Sequence, residues 1–241
     1  MTGSEPYTPD NLLDRVSRDS TLEVHYRQMM DRERELIARW LPPAGRVVSI
    51  GAGWHPGRHL FPSPQWHLVA VDADPAKVGG VIAAGRADEA HVGFAGHLDG
   101  LSSGSFEAVL YRLVLHHLAY QGPLGPCFTE AARLLAPGGA LVAVEPGLWH
   151  PVGAGLSLAN RAGVAEAVHG THDDIPLSPR RLLAEARAVG LRPELHAVTY
   201  TWRRLPPAVQ RSLQPLDALG SRPRAALFGH TLMLIAHREP R

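Results

Sequence analysis

The sequence predicts an α/β fold built on a doubly wound, mainly parallel sheet, and three observations carry the prediction. Short β-branched runs alternate with helical stretches from residue 46 to residue 145. The runs are apolar at nearly every position, as strands covered on both faces must be. The first closes on Gly51, the second on Asp72 and the fifth on Glu145, so turn-forming and polar residues collect at one end of the sheet. The chain has 241 residues, 45% of them apolar and 20% charged, enough for one large domain with its own core.

The elements follow in order. Residues 1–20 are polar and rich in turn formers. Residues 21–41 read as a helix, with Leu22, Tyr26, Met29, Leu36 or Ile37, and Trp40 on one stripe that Glu33 interrupts. Pro42-Pro43-Ala44-Gly45 stops it. Strands are expected at 46–50, 66–71, 91–94, 106–111 and 140–144. Asp74-Pro75 is a good N-cap and first-turn pair for a helix reaching about residue 84. A further helix spans 128–135 and closes at Pro137-Gly138-Gly139. Residues 146–177, rich in Gly, Ala, His and Pro, break the alternation and read as an inserted segment. Ser178-Pro179 opens a helix through residue 189 with Gly190 at its end. Strands at 196–202 and 231–237 flank a stretch with little periodicity. The organisation expected is an N-terminal helical cap (1–44), a cofactor-binding core (45–145), an inserted lid (146–177) and a C-terminal part that completes the sheet (178–241).

Composition excludes several classes. Formal net charge is +1, which gives no general field to attract nucleic acid or an anionic membrane. Cys127 is the only cysteine, so no intrachain disulfide can form; it reads as a small apolar residue near a helix start. No apolar run reaches the roughly 18 residues of a membrane span, and Met1-Thr2-Gly3-Ser4-Glu5 is no signal peptide, so the expected location is cytoplasmic. Of the 24 basic residues all but Lys77 are arginine.

The site signal is strongest at the first strand–turn–helix. Gly51-Ala52-Gly53 lies just past a strand, where glycine allows a sharp turn and a close approach of ligand to bare backbone. Asp72 ends the next strand and can accept both hydroxyls of a ribose. Two ligand classes share this pattern, NAD(P) and S-adenosylmethionine. A Tyr-x-x-x-Lys dehydrogenase is excluded, because Ala73 stands four residues before the only lysine. Pro56 also stands where a third dinucleotide glycine belongs.

These residues resemble class I S-adenosylmethionine-dependent methyltransferases of the small-molecule and quinone-methylase group. The resemblance rests on Gly51-Ala52-Gly53, on Asp72, on Phe106-Glu107-Ala108-Val109 running on to Leu115-His116-His117-Leu118, and on Arg133-Leu134-Leu135-Ala136-Pro137-Gly138-Gly139. It implies a Rossmann-like seven-stranded sheet with an antiparallel C-terminal strand, and transfer of a methyl group from S-adenosylmethionine to a small-molecule acceptor in specialised metabolism. It implies a cofactor site of Gly51, Ala52, Gly53, Asp72, Ala73, His97, Leu98, Arg112 and Leu113. His116 or His117 would act as a base, or the pair would cap and pack the following helix. Glu145, Trp149 and His150 follow strand five and are the expected acceptor wall. Two departures, His55 for a third glycine and His97 where an acid is usual, keep open a fold relative that binds or cyclises without methylation, with an NAD(P)-dependent oxidoreductase behind it. His169, His172, Asp173 and Asp174 have spacing that metal ligands can show, but no regular scaffold, so no metal is expected. After strand four the chain reads Tyr111-Arg112-Leu113-Val114 where a DNA N-methylase would show Asp/Asn-Pro-Pro-Tyr, and arginines are scattered, so no nucleic-acid partner is expected.

Overall fold

A computed structural model describes residues 20–164, 175–202 and 205–240. Its elements are α1 (Ser20–Trp40), β1 (Gly45–Ile50), β2 (Trp66–Asp72), α2 (Pro75–Ala83), β3 (Glu89–Val92), β4 (Phe106–Arg112), α3 (Leu115–Gln121), α4 (Gly125–Leu134), β5 (Leu135–Pro146), α5 (Pro151–Arg161), α6 (Pro179–Ala188), β6 (Arg192–Thr199), α7 (Pro207–Leu213), a 3₁₀ turn (Gln214–Leu219), α8 (Pro223–Ala226) and β7 (Thr231–His237). The strands form one sheet in the order β3-β2-β1-β4-β5-β7-β6. β1 to β5 run parallel, and β7 lies antiparallel between β5 and β6. This is the Rossmann-like mixed sheet that the sequence predicts, antiparallel C-terminal strand included.

Strand alternation splits the core in two. Val48, Ile50, Val109 and Tyr111 face α3, α4 and α6, where Leu115, Phe128, Ala131, Leu134, Leu182 and Ala186 are buried. Val47, Ala108, Leu110, Val142 and Val144 face α1 and α2, meeting Met29, Leu36, Ile37 and Val81. Both faces are covered, which is why the strands read as continuous apolar runs. The chain order reverses between β1 and β4, so a crevice opens beyond their carboxyl ends.

Several elements differ from the sequence reading, each for a physical reason. The stretch from Gly51 to Gln65 holds no helix. Instead it runs down the sheet so closely that a Cβ on Gly57 (φ +83°) would lie 2.6 Å from Leu110. Residues 151–161, read as loop, form α5. His150 caps it, accepting the Val152 N–H at 3.2 Å, and Pro151 takes the first turn. Gly153 is buried there because any Cβ would strike the Gly147 carbonyl at 2.1 Å. The glycine and proline that suggest a loop are what let this helix pack on the exit of β5. Likewise Pro137-Gly138-Gly139 does not end a helix but lies inside β5, at the irregularity between Phe106 and Ala108 of β4. β3 is short and partly exposed, two residues earlier than expected. Prolines open α7 and α8 in the stretch without periodicity. Among the described residues no helix is long and apolar enough to cross a membrane.

Candidate active site

The crevice at the strand tips is built first from backbone. Gly51 and Gly53 both have left-handed backbone, φ +65° and +52°. The Ala52 N–H donates to the Val71 carbonyl at 3.0 Å. The Gly53 N–H donates to Asp72 Oδ2 at 2.8 Å, and the Asp74 N–H to Asp72 Oδ1 at 3.0 Å. Lys77 Nζ lies 3.8 Å from the same Oδ1. A carboxylate has about four acceptor sites, so two remain for a ligand. Nothing lies within 4 Å of where a Gly53 Cβ would be, and Ala73 beside Asp72 is exposed. The bare turn at Gly53 therefore faces open space, beside a carboxylate that is itself largely buried. Gly51 has a second reason to lack a side chain, since a Cβ would lie 2.3 Å from Val114 Cγ2. Trp54, bulky for a ligand loop, is turned away onto Gly80 of α2.

The loop after β3 is held from α4. Glu130 Oε1 accepts the Leu98 N–H at 2.9 Å, while Arg133 donates to the Leu98 carbonyl at 3.1 Å and to Glu130. The hydrogen bond from Arg133 keeps the Glu130 carboxyl below its ordinary range, against its partial burial. Tyr111 Oη, fully buried, lies 3.2 Å from the Ala95 carbonyl and 3.0 Å from that of Cys127. Leu98 is buried by this clamp, whereas His97 faces solvent and pairs with Asp99 at 3.0 Å. The two residues expected to contact the cofactor here thus point in different directions.

At the tip of β4 the backbone is strained. Leu113 has φ +57°, a conformation that costs a non-glycine residue about 1–3 kcal/mol, and its side chain is 40% exposed. Its N–H donates to the Val144 carbonyl at 2.8 Å. Arg112 does not reach into the crevice as a free cation. Its Nε and Nη2 each lie 3.2 Å from a carboxylate oxygen of Glu33 on α1.

Glu145, fully buried at the end of β5, accepts the N–H groups of Val114 (3.0 Å), Leu115 (2.8 Å) and His116 (3.3 Å). It also lies 2.5 Å from His116 Nδ1. It caps α3 instead of lining an acceptor pocket. His116 is buried in this cap, and the half-buried His117 ring sits 4.1 Å from it between centroids. Trp149 and His150 follow the end of β5. Trp149 meets Phe228 at 6.0 Å, under the Arg180 guanidinium at 5.0 Å. His150 Nε2 lies 3.2 Å from the Tyr200 carbonyl and its ring is edge-on to His230 at 5.1 Å. Burial lowers its pKa, partly offset by that carbonyl.

Sequence reasoning overlooked Glu33, His59, Lys77 and Glu130 as parts of the site. Glu33 had a visible signal, since it interrupts the apolar stripe of α1. His169, His172, Asp173 and Asp174 lie outside the described residues. Among the described residues no group of three or more His, Cys, Asp or Glu could hold a metal ion.

Comparison with known proteins agrees with this geometry. The methyltransferase-domain family matches residues 48–143, from the middle of β1 into β5. No curated protein matches the chain in sequence. A S-adenosylmethionine-dependent methyltransferase from Thermotoga maritima superposes with a TM-score of 0.61, at 15% identity, over 87% of this chain and 89% of that one. The methyltransferase in a complex with the Haloferax volcanii Trm112 activator gives a TM-score of 0.61 at 16% identity, covering 98% of this chain and all (100%) of the other. The geranyl diphosphate C-methyltransferase of Streptomyces coelicolor, solved with S-adenosylhomocysteine, gives 0.55 at 17% identity over 85% and 79%. The fold is that of the Rossmann-like methyltransferases. Residues 48–143, which include the glycine turn and Asp72, match a methyltransferase domain, and this supports a class I S-adenosylmethionine-dependent methyltransferase with that cofactor.

Proposed function

We propose that this methyltransferase acts on a small-molecule acceptor in specialised metabolism, bound beside β4 and β5 while the cofactor lies over β1 and β2. One observation carries the placement: the Gly53 N–H and the Asp72 carboxylate are joined at 2.8 Å beside the open space at Gly53. Asp72 accepts the ribose hydroxyls on its two remaining acceptor sites. The backbone of Gly51, Ala52 and Gly53 receives the methionine end, with Ala73, Leu98 and the exposed Leu113 around the rest. His97 contributes at most from the rim, since its ring faces solvent. Arg112 serves the site through its tie to Glu33. The cofactor supplies an electrophilic methyl on a sulfonium sulfur.

The chain's own task is then to orient the acceptor, exclude water and take up a proton where the acceptor is a hydroxyl or an amine. His117 is the base in this reading. Glu145 holds His116 through Nδ1, and the His116 ring fixes His117 at 4.1 Å. His116 and Glu145 are therefore positioning residues. Trp149 and His150, which follow β5, wall the acceptor in this reading together with the helix Ser20–Trp40. A small-molecule acceptor is supported by the net charge of +1 and by the absence of a basic stripe, and one structural relative acts on geranyl diphosphate. The single buried cysteine suits a reducing cytoplasm.

Calorimetric titration with S-adenosylmethionine, then methyl transfer from labelled cofactor to a panel of hydroxyl, amine and carbon acceptors, tests the reading. Cofactor binding that survives Asp72→Asn unchanged would refute the placement. Transfer only to protein or nucleic acid would refute the acceptor class.

A further inference from the structure

The N-terminal helix carries a charge cluster that the methyltransferase reading does not use. Glu33 is fully buried in the apolar face of α1. It holds Arg112 of the β4 tip by two contacts of 3.2 Å and His59 Nε2 by a third of 3.2 Å. Burial would raise the Glu33 carboxyl, but Arg112 and His59 outweigh it and hold the group below the ordinary range. A buried ion cluster seldom stabilises a fold better than the apolar side chains it displaces. Leu36, Ile37 and Met29 surround it, so apolar packing was within reach of this helix. Its value is better sought in what it fixes.

What it fixes is specific. Arg112 immediately precedes Leu113, the residue with left-handed backbone at the β4 tip. His59 lies within the stretch from Gly51 to Gln65, which has no helix to stiffen it. One carboxylate from outside the matched methyltransferase domain thus ties the β4 tip to the segment that follows the glycine turn. We infer that Glu33 is a positioning residue that presets the cofactor crevice, so that α1 governs affinity for S-adenosylmethionine. The inference rests on the cofactor placement given above.

The experiment compares Glu33→Gln, Glu33→Asp and His59→Asn with the unaltered protein. Amide hydrogen exchange without cofactor is expected to speed up at 51–61 and at Leu113 in Glu33→Gln, at sites remote in sequence from the change. The Kd for S-adenosylmethionine, taken well below the melting temperature, should rise tenfold or more, while kcat at saturating cofactor stays within threefold. Glu33→Asp, which keeps the charge, should return to within threefold of the original Kd. His59→Asn, which leaves the Arg112 contact intact, should raise Kd threefold or more and decides the matter if Glu33→Gln does not fold. Faster exchange confined to α1, with Kd within twofold in the folded variants, would overturn the inference and leave a structural role only. Because exchange is read without cofactor, it separates this outcome from an error in the cofactor placement, which Asp72→Asn tests alone.

Discussion

The two halves of the crevice are made in different ways. Over β1 and β2 the walls are backbone: two left-handed glycines, the N–H groups of Gly53 and Asp74, and a single carboxylate, all within a short stretch of chain. Over β4 and β5 the walls are side chains brought from afar. Glu33 of α1 holds Arg112, and Glu145 of β5 holds His116 beside His117 of α3. A backbone cradle tolerates almost any neighbour and keeps one shape for one cofactor. A side-chain wall can be re-cut residue by residue to fit another acceptor. In the function proposed above, cofactor recognition belongs to the first half and acceptor specificity to the second.

Four substitutions would break or sharpen this contrast. The largest effect is expected from His117→Gln, which should lower kcat at least 100-fold, the low end of general base catalysis, with cofactor Kd unchanged. Equal loss in both parameters would move His117 to the cofactor half. Next, Asp72→Ala should weaken cofactor binding by about 1–3 kcal/mol, with the acceptor KM little altered. A calorimetric Kd within twofold of the original would refute the cofactor placement. Trp149→Ala should cost about 1 kcal/mol in acceptor binding, seen as a several-fold rise in acceptor KM and none in cofactor KM. A cofactor effect there would erase the boundary between the halves.

The smallest effect concerns stability and lies away from the crevice. His196 is buried beneath Trp40, with both ring nitrogens lacking hydrogen-bond partners. Its pKa is lowered to about 4 by burial, with Arg32 and Arg39 adding to the shift. The unfolded chain, with an ordinary value near 6.5, binds the proton first. Stability should therefore fall as pH drops from about 6.5 to about 4. His196→Leu should flatten that slope and raise Tm near pH 5 by a few degrees. A melting series in which the slope is unchanged would assign the acid sensitivity elsewhere, Glu33 being the next group to lose its partners at lower pH.

How much of this was legible in the sequence follows the same contrast. Gly51, Gly53 and Asp72 announce themselves because backbone geometry restricts residue choice locally. The starts of α2 and α6 were legible for the same reason, through Asp74-Pro75 and Ser178-Pro179. Glu145 looked like an acceptor contact because nothing in its neighbourhood shows that four donors from α3 converge on it. Arg112 looked free because its partner lies 79 positions away, and only the polar break in the α1 stripe hinted at Glu33. α5 was hidden because its glycine serves close packing against Gly147, which no local pattern reports.

The sheet's connectivity also bears on how the protein is made. Among the described residues β6 is an edge strand with β7 as its one sheet neighbour, and β7 is the last strand in chain order. A nascent chain emerging from the ribosome therefore exposes β6 with no mate, and the open flank of β5 beside it, until Thr231–His237 has been synthesised. During that interval two unpaired strand borders are available to any neighbouring polypeptide. Translation pausing after β6, or loss of β7, should make this chain a client of chaperones well before it affects any residue of the crevice.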